Sequence, residues 1–412
     1  MFFCSLPESA WSQLGDYLRE TQLLGSIQST LYWDQNTKMP SSGAPWRGEQ
    51  LKLIAKILHE RQSSDVYQSL LQNAEYEFKS NCERGDLNSK NLLEKKRNLE
   101  LLSQQFKRQR SLDSELIGAI ATAKADGYML WQQARSNSDF SCFAPALKNL
   151  ISLRQEQANQ LNEPRSCWET LAQPFEPDIT KKRVNELFAP LRDKLPKLIA
   201  KVSSWDRKPS QNWDLKESSQ KELCNQLLDQ WGRDEKITAV SKSPHPFSTT
   251  LGPQDFRITT RVVNGQPLSC FLATAHEWGH SLYEQGLHFQ SHQWFAWPLG
   301  QATSMSVHES QSLFWENRIA RSKEFSDRFW IYFSDQGAPI HSGEELWHKM
   351  NPLTPGLNRV EADELSYGLH ILIRTELEIA LLEEGLLVDD LPGEWNHKYE
   401  DLLGVKPKND SE

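Results

Sequence analysis

Apolar side chains recur along much of this chain at the spacing of a helix face. Leu51, Ile54, Ala55 and Leu58 follow the i, i+3, i+4, i+7 pattern. Leu99, Leu102 and Phe106 keep that rhythm among Lys, Arg and Gln, which predicts a solvated helix with one narrow apolar stripe. Phe143, Leu147, Leu150, Ile151 and Leu153 predict another amphipathic helix over 143–161. A further stretch over 182–205 carries Val184, Leu187, Phe188, Leu191 and Leu195. Pro196 falls inside it and predicts a kink or a division, because proline lacks an N–H and clashes with the preceding turn. Breakers stand at Arg84-Gly85-Asp86, Ser136-Asn137-Ser138 and Lys208-Pro209-Ser210. None is long enough to be a flexible linker. One strand signal stands out, the β-branched alternation Phe256-Arg257-Ile258-Thr259-Thr260-Arg261-Val262-Val263, followed by the turn pair Asn264-Gly265. Helical pattern resumes near Ser269. The expected fold is mainly α with one small sheet.

Composition narrows the function. The 412 residues could fill roughly two or three domains. Without a linker or an internal repeat, they read as a single domain over 1–412. With 46 Lys+Arg against 55 Asp+Glu the net charge is −9 and no basic stripe stands out, which argues against a nucleic-acid partner. No run of about 18 apolar residues exists to cross a membrane. The opening MFFCSLPESAW lacks the basic start of a signal peptide. The cysteines Cys4, Cys82, Cys142, Cys167, Cys224 and Cys270 are dispersed with no CxxC, which suits a reducing cytoplasm.

The chemistry concentrates in Ala275-His276-Glu277-Trp278-Gly279-His280. Histidines four apart on a helix share a face and can hold one metal ion, while the intervening glutamate can act on a water without being a ligand. A catalytic zinc takes three protein donors and keeps one position open. The segment His308-Glu309-Ser310-Gln311 on the next helical stretch offers either His308 or Glu309 as the third donor, and position alone does not choose. His245, between Pro244 and Pro246, is stiffly placed: it reads either as a donor to substrate or as a structural turn residue. Arg359 could clamp a carboxylate through its planar fork, or form an ordinary ion pair with Glu361 or Asp363. Arg257 either reaches substrate or braces the sheet. Trp294, Trp297 and Trp315 read as core, and the Lys95-Lys96-Arg97 and Lys107–Arg110 clusters as solvated helix faces.

Together these segments resemble the carboxypeptidase Taq family of metallocarboxypeptidases. His245-Pro246-Phe247 matches its HPF motif and Asp255–Thr259 its DxRxT. His276–His280, running on through Ser281-Leu282-Tyr283-Glu284-Gln285-Gly286, matches the metal helix. His308–Gln311 matches the segment of the third ligand, and Arg359-Val360-Glu361-Ala362-Asp363 most of IRxxAD. The resemblance implies a helical shell around a deep substrate groove, with a small sheet beside the HExxH helix. It implies His276, His280 and Glu309 as ligands of one divalent ion, zinc or alternatively cobalt, with Glu277 catalytic. His245, Arg359 and Arg257 become the candidates for binding a peptide substrate. It further implies removal of C-terminal residues with broad preference, a homodimer and a cytoplasmic home.

Departures from the family pattern are visible. Asn358 stands where the family usually has Ile, and Ser241 where an Asp often precedes HPF. The chain stops at Glu412, before the QDxHW and GYFPxY segments of the family, which predicts a C-terminally truncated member. Two rival functions therefore stand beside the carboxypeptidase: an oligo-endopeptidase sharing the metal chemistry, and an impaired homologue that binds peptides without turnover.

Overall fold

The amphipathic segments fold as helices in the computed structural model, which describes residues 9–84, 89–203, 213–288, 294–359 and 362–412. In chain order they are α1 (Ala10–Thr37), α2 (Ala44–Ser63), α3 (Asp65–Arg84) and α4 (Ser89–Arg110). Then come α5 (Ser114–Asn137), α6 (Ala144–Leu161), α7 (Cys167–Ala172), α8 (Lys181–Ser203) and α9 (Glu217–Gln230). Three strands follow: β1 (Thr238–Lys242), β2 (Ser248–Gly252) and β3 (Asp255–Thr260). The rest is α10 (Pro267–His288), α11 (Met305–Leu313), α12 (Lys323–Asp335), α13 (Gly343–Met350), α14 (Glu364–Ile379) and α15 (Leu391–Leu403). The protein is mainly α with one three-stranded sheet, as expected. Among the described residues no helix is long and apolar enough to cross a membrane.

Local chemistry sets the helix ends. The Ser9 hydroxyl accepts from the Ser12 N–H to start α1, and Ser166 with Glu169 forms a reciprocal capping box on α7. The predicted break at 136–138 is the end of α5, where Ser138 turns left-handed with φ 53°. Gly85 and Asp86 of the first breaker, and the whole Lys208–Ser210 breaker, lie outside the described residues.

Two compact units emerge, each built from two separate stretches of chain: Met1–Arg110 with Gln211–Trp347, and Ser111–Ser210 with His348–Glu412. In the first unit, Leu14 and Leu18 of α1, Tyr67 and Leu71 of α3, and Leu99, Leu102 and Phe106 of α4 share one core with Trp297. The narrow stripe read from α4 is therefore its buried face. Each such side chain contributes about 1.5–3 kcal/mol on full burial.

The second unit packs α8 against α14 and α15 through Ile199, Leu369, Leu372, Ile373, Leu377, Tyr399 and Leu403. Of the two outcomes expected at Pro196, division does not occur, since α8 runs on through both Pro190 and Pro196. A proline inside a helix costs about 3 kcal/mol. Phe188, Leu191 and Leu195 pack on the same cluster and together offset it.

The sheet belongs to the first unit, in the order β1-β3-β2. β1 runs parallel to β3, with Val240 opposite Ile258, and β2 antiparallel, with Thr249 opposite Arg257. The strand signal marked β3 because β3 is central: Phe256, Ile258, Thr259 and Thr260 are all buried. It ends at Thr260, three residues before the β-branched run does. Asn264-Gly265, with φ 73° at the glycine, turns the chain into α10 and forms no hairpin. The edge strands TAVSK and STTLG were not legible, being too short and polar to alternate.

Candidate metal centre

α10 lies beside the sheet with Trp278 fully buried, packed in one cluster with Leu228, Ile258, Val240 and Leu282. That anchoring fixes the rotation of the helix. His276 and His280, four apart, then share another face, with Glu277 buried between them. α11 begins at a cap in which the Ser304 hydroxyl accepts from the Val307 N–H. It passes close to α10 at Gly279. A Cβ there would sit 2.7 Å from the Gln311 carbonyl oxygen and from the Ser312 Cα, so glycine is what lets the helices approach.

The approach brings three donors together. His276 Nε2 is 3.8 Å from one Glu309 oxygen and His280 Nε2 is 3.3 Å from the other. Ligand atoms of His276, His280 and Glu309 all lie within 4.8 Å of one another. Donors about 2.0–2.1 Å from a tetrahedral zinc lie about 3.3 Å apart, so the spacing suits such an ion. Of the two candidates left open, Glu309 is the one whose carboxylate falls within this group of ligand atoms. His308 lies alongside: its Nε2 is 2.9 Å from Glu284 Oε1, and its ring stacks on that of His280.

Beyond the donors, His276 Nδ1 is 2.9 Å from Glu316 Oε2, and Arg321 donates to the other Glu316 oxygen at 3.0 Å. Glu316 sits on a π-helical turn, Phe314–Ala320, that continues α11. Such turns recur at functional sites because the wider turn redirects side chains. Sequence reasoning missed Glu316, yet a signal was there: it stands seven residues, two turns, after Glu309 and on the same face.

Electrostatics suit metal donation at His280 and Glu309, and set His276 apart. Burial lowers the His280 pKa, keeping the imidazole neutral. Burial works to raise the Glu309 carboxyl, but the His280 hydrogen bond and nearby His276 outweigh it and hold it ionised. Neutral histidine and ionised carboxylate are the states a metal requires. At His276 burial acts downward, but the Glu316 hydrogen bond and the surrounding carboxylates prevail and raise its pKa. Burial pushes the Glu277 carboxyl up to about 7.

The substrate candidates are held differently. His245 is exposed on the β1–β2 connection. Ser243 Oγ shapes that loop by donating to the His245 carbonyl at 2.6 Å, and it contacts Thr259 Oγ1 at 2.7 Å. The Phe247 N–H donates to the same Thr259 hydroxyl at 2.9 Å. The threonine of DxRxT therefore pins the HPF loop, a link that spacing along the chain did not reveal. Arg257 donates two 2.8 Å hydrogen bonds to Asp255 and lies over the Trp33 ring at 4.7 Å. Arg359 belongs to the second unit, where its Nη1 is 3.4 Å from the Tyr367 hydroxyl. Val360 and Glu361 of the IRxxAD match lie outside the described residues.

A helix-borne HExxH beside a glutamate from a second helix defines a metallopeptidase class. Comparison with known proteins makes it specific. Residues 13–412 match the family described as Carboxypeptidase Taq (M32) metallopeptidase. The chain is 33% identical to thermostable carboxypeptidase 1 of Thermus thermophilus over 98% of its own length and 80% of the relative's. It is 30% identical to carboxypeptidase 1 of Bacillus subtilis, over 96% and 78%. Among solved structures, Pyrococcus furiosus carboxypeptidase superposes with a TM-score of 0.89 at 28% identity, covering 98% of this chain and 80% of that one. The M32 carboxypeptidase from Deinococcus radiodurans gives 0.88 at 30%, over 98% and 79%. The chain belongs to the carboxypeptidase Taq (M32) family of metallopeptidases. Its activity is that of a metal-dependent carboxypeptidase.

Proposed function

We propose that His276, His280 and Glu309 hold one divalent ion, zinc or alternatively cobalt, and that Glu277 is the general base. The observation that carries this is the convergence of the three donors within 4.8 Å beside a buried glutamate. When bound, a divalent ion supplies Lewis acidity toward water and the scissile carbonyl. Glu277 takes the proton of the attacking water and passes it to the leaving amine. Its depth keeps bulk water from competing for that proton. Glu316 fixes the His276 tautomer by accepting from Nδ1–H, which leaves Nε2 as the donor atom. Arg359 reads the carboxylate at the substrate's end, supported by the match of two guanidinium N–H groups to two oxygens. His245 donates to the peptide from its pinned loop. Arg257, paired with Asp255 on the central strand, stands as the second cation near that loop.

The same reading makes the substrate a peptide with broad end-residue preference, and the protein a cytoplasmic homodimer. One catalytic domain spans 1–412, since each unit draws on two stretches of chain and no single cut frees either. The test is product analysis. The zinc-loaded protein should shorten free-acid peptides one residue at a time from the carboxyl end and carry one metal per chain by elemental analysis. Internal fragments would move the assignment to an endopeptidase. Stoichiometric metal with no cleavage of any peptide would make it a binding protein.

A further inference from the structure

The two histidine donors are oriented in different ways. His276 is held by a hydrogen bond, Nδ1 to Glu316, and Arg321 pins that carboxylate in turn. His280 has no equivalent, for its Nδ1 is buried and finds no hydrogen-bond partner among the described residues. A neutral imidazole that offers Nε2 to an ion carries its proton on Nδ1. Without a bond at Nδ1, rotation about the ring's own axis would swing Nε2 away from Glu309. A flat neighbour opposes that rotation. The His308 ring lies against the His280 ring with centroids 4.5 Å apart and 23° between planes. His308 is itself fixed, with Nε2 at 2.9 Å from Glu284 Oε1 and the Tyr283 ring edge-on at 5.4 Å and 89°. Glu284 follows His280 by one turn on α10, and His308 precedes Glu309 on α11. The brace therefore joins the same two helices that carry the donors.

We infer that His308 is a positioning residue for the metal centre. Its imidazole face, locked by Glu284, holds the His280 ring so that Nε2 points at the ion, the task Glu316 performs for His276 through a hydrogen bond. The inference rests on the reading of His276, His280 and Glu309 as metal donors. It also says which property of His308 matters: the ring face touches His280, while a ring nitrogen serves Glu284. A phenyl ring should therefore replace it far better than a methyl group.

The experiment reads metal binding and not turnover. Metal-free wild type, His308→Ala and His308→Phe are titrated with Zn²⁺ against a chromophoric chelator. The visible absorption of each Co²⁺-loaded protein is then recorded. His308→Ala should bind zinc about 10–100-fold more weakly, the usual cost of removing a group that orients a ligand, and its cobalt bands should move. His308→Phe should restore both toward wild type. Wild-type affinity and spectrum in His308→Ala overturn the inference, as does a His308→Phe variant no better than His308→Ala. His280→Ala is measured alongside; if it binds zinc like wild type, the donor assignment fails and the inference falls with it, whereas weak binding there with a wild-type His308→Ala overturns the brace alone. Circular dichroism of the metal-free variants checks folding. Should His308→Ala not fold, His308→Leu takes its place, apolar and of similar bulk but without a flat face, with the same expected order.

Discussion

Among the described residues, histidines half-buried in one region and fully buried in another serve opposite ends. In the first unit, His276 and His280 are surrounded by the carboxylates Glu277, Glu309 and Glu316. In the second, His370 is fully buried on α14 and shares a 3.0 Å hydrogen bond between Nδ1 and the Tyr399 hydroxyl. Burial, followed by the cations Arg374 and Arg359, pulls the His370 pKa down to about 4. Tyr399 stacks on Trp395 at 4.9 Å, and Arg374 lies over that Trp395 ring. A buried histidine is thus not a ligand by virtue of burial. Carboxylates converging on imidazole nitrogens leave room for a cation, whereas arginines around an imidazole exclude one.

The largest expected effect removes one side of the contrast. The double variant His276→Ala, His280→Ala should lose stoichiometric zinc and all turnover, read by elemental analysis after dialysis and by peptide cleavage. His370→Gln should keep its zinc. Full metal in the double variant would erase the distinction between the two regions.

Next in size is Glu277→Gln. It should retain the metal but lower kcat by about 10²–10⁴-fold, because an amide of similar shape cannot accept the proton. Near-wild-type kcat in a metal-replete sample would remove Glu277 from the chemistry.

The second region has its own signature in acid. A folded-state pKa of about 4 against the ordinary 6.5 means the unfolded chain binds the proton more readily between those values. Stability is therefore unaffected by this group above pH 6.5 and falls as pH drops toward 4, by about 3 kcal/mol in all. Urea unfolding of chelator-treated wild type and His370→Gln at pH 7 and pH 4.5 checks this. The variant should lose less stability over that interval; equal losses would show that His370 is not held neutral.

The smallest expected effect links Arg359 to both themes. Arg359→Ala should lower kcat/KM on free-acid peptides about 10–150-fold, the size of a charge-assisted carboxylate pair, and change little for the same peptides amidated. It also removes one cation beside His370, so that pKa should rise, as followed by NMR titration of the ring protons. If the kinetic effect is absent, His245→Ala and Arg257→Ala are the next variants to read.

Much of the site was legible before any fold was known, because its chemistry is written at helical spacing. His276, Glu277 and His280 need only one helix to be in place, and four residues apart is a local property. Glu309 was half legible. The sequence offered it beside His308 as two adjacent candidates, and the motif resemblance, not spacing, preferred it. What no spacing revealed was contact across the chain. Gly279 matters because α11 passes over it, Glu316 because a π-helical turn carries it to His276, and Thr259 because its hydroxyl pins the loop of His245.

By itself, then, the sequence determined the helical character, the central strand, the helix that carries HExxH and the family. These rest on periodicities of a few residues and on motifs that local geometry preserves. Tertiary structure alone decided which of His308 and Glu309 faces the other donors. It also kept α8 whole through two prolines and made His370 a neutral core residue while His276 was set among carboxylates. Each of those outcomes depends on the charge, shape or apolar surface that a distant segment brings up, and that surface exists only once the chain has folded.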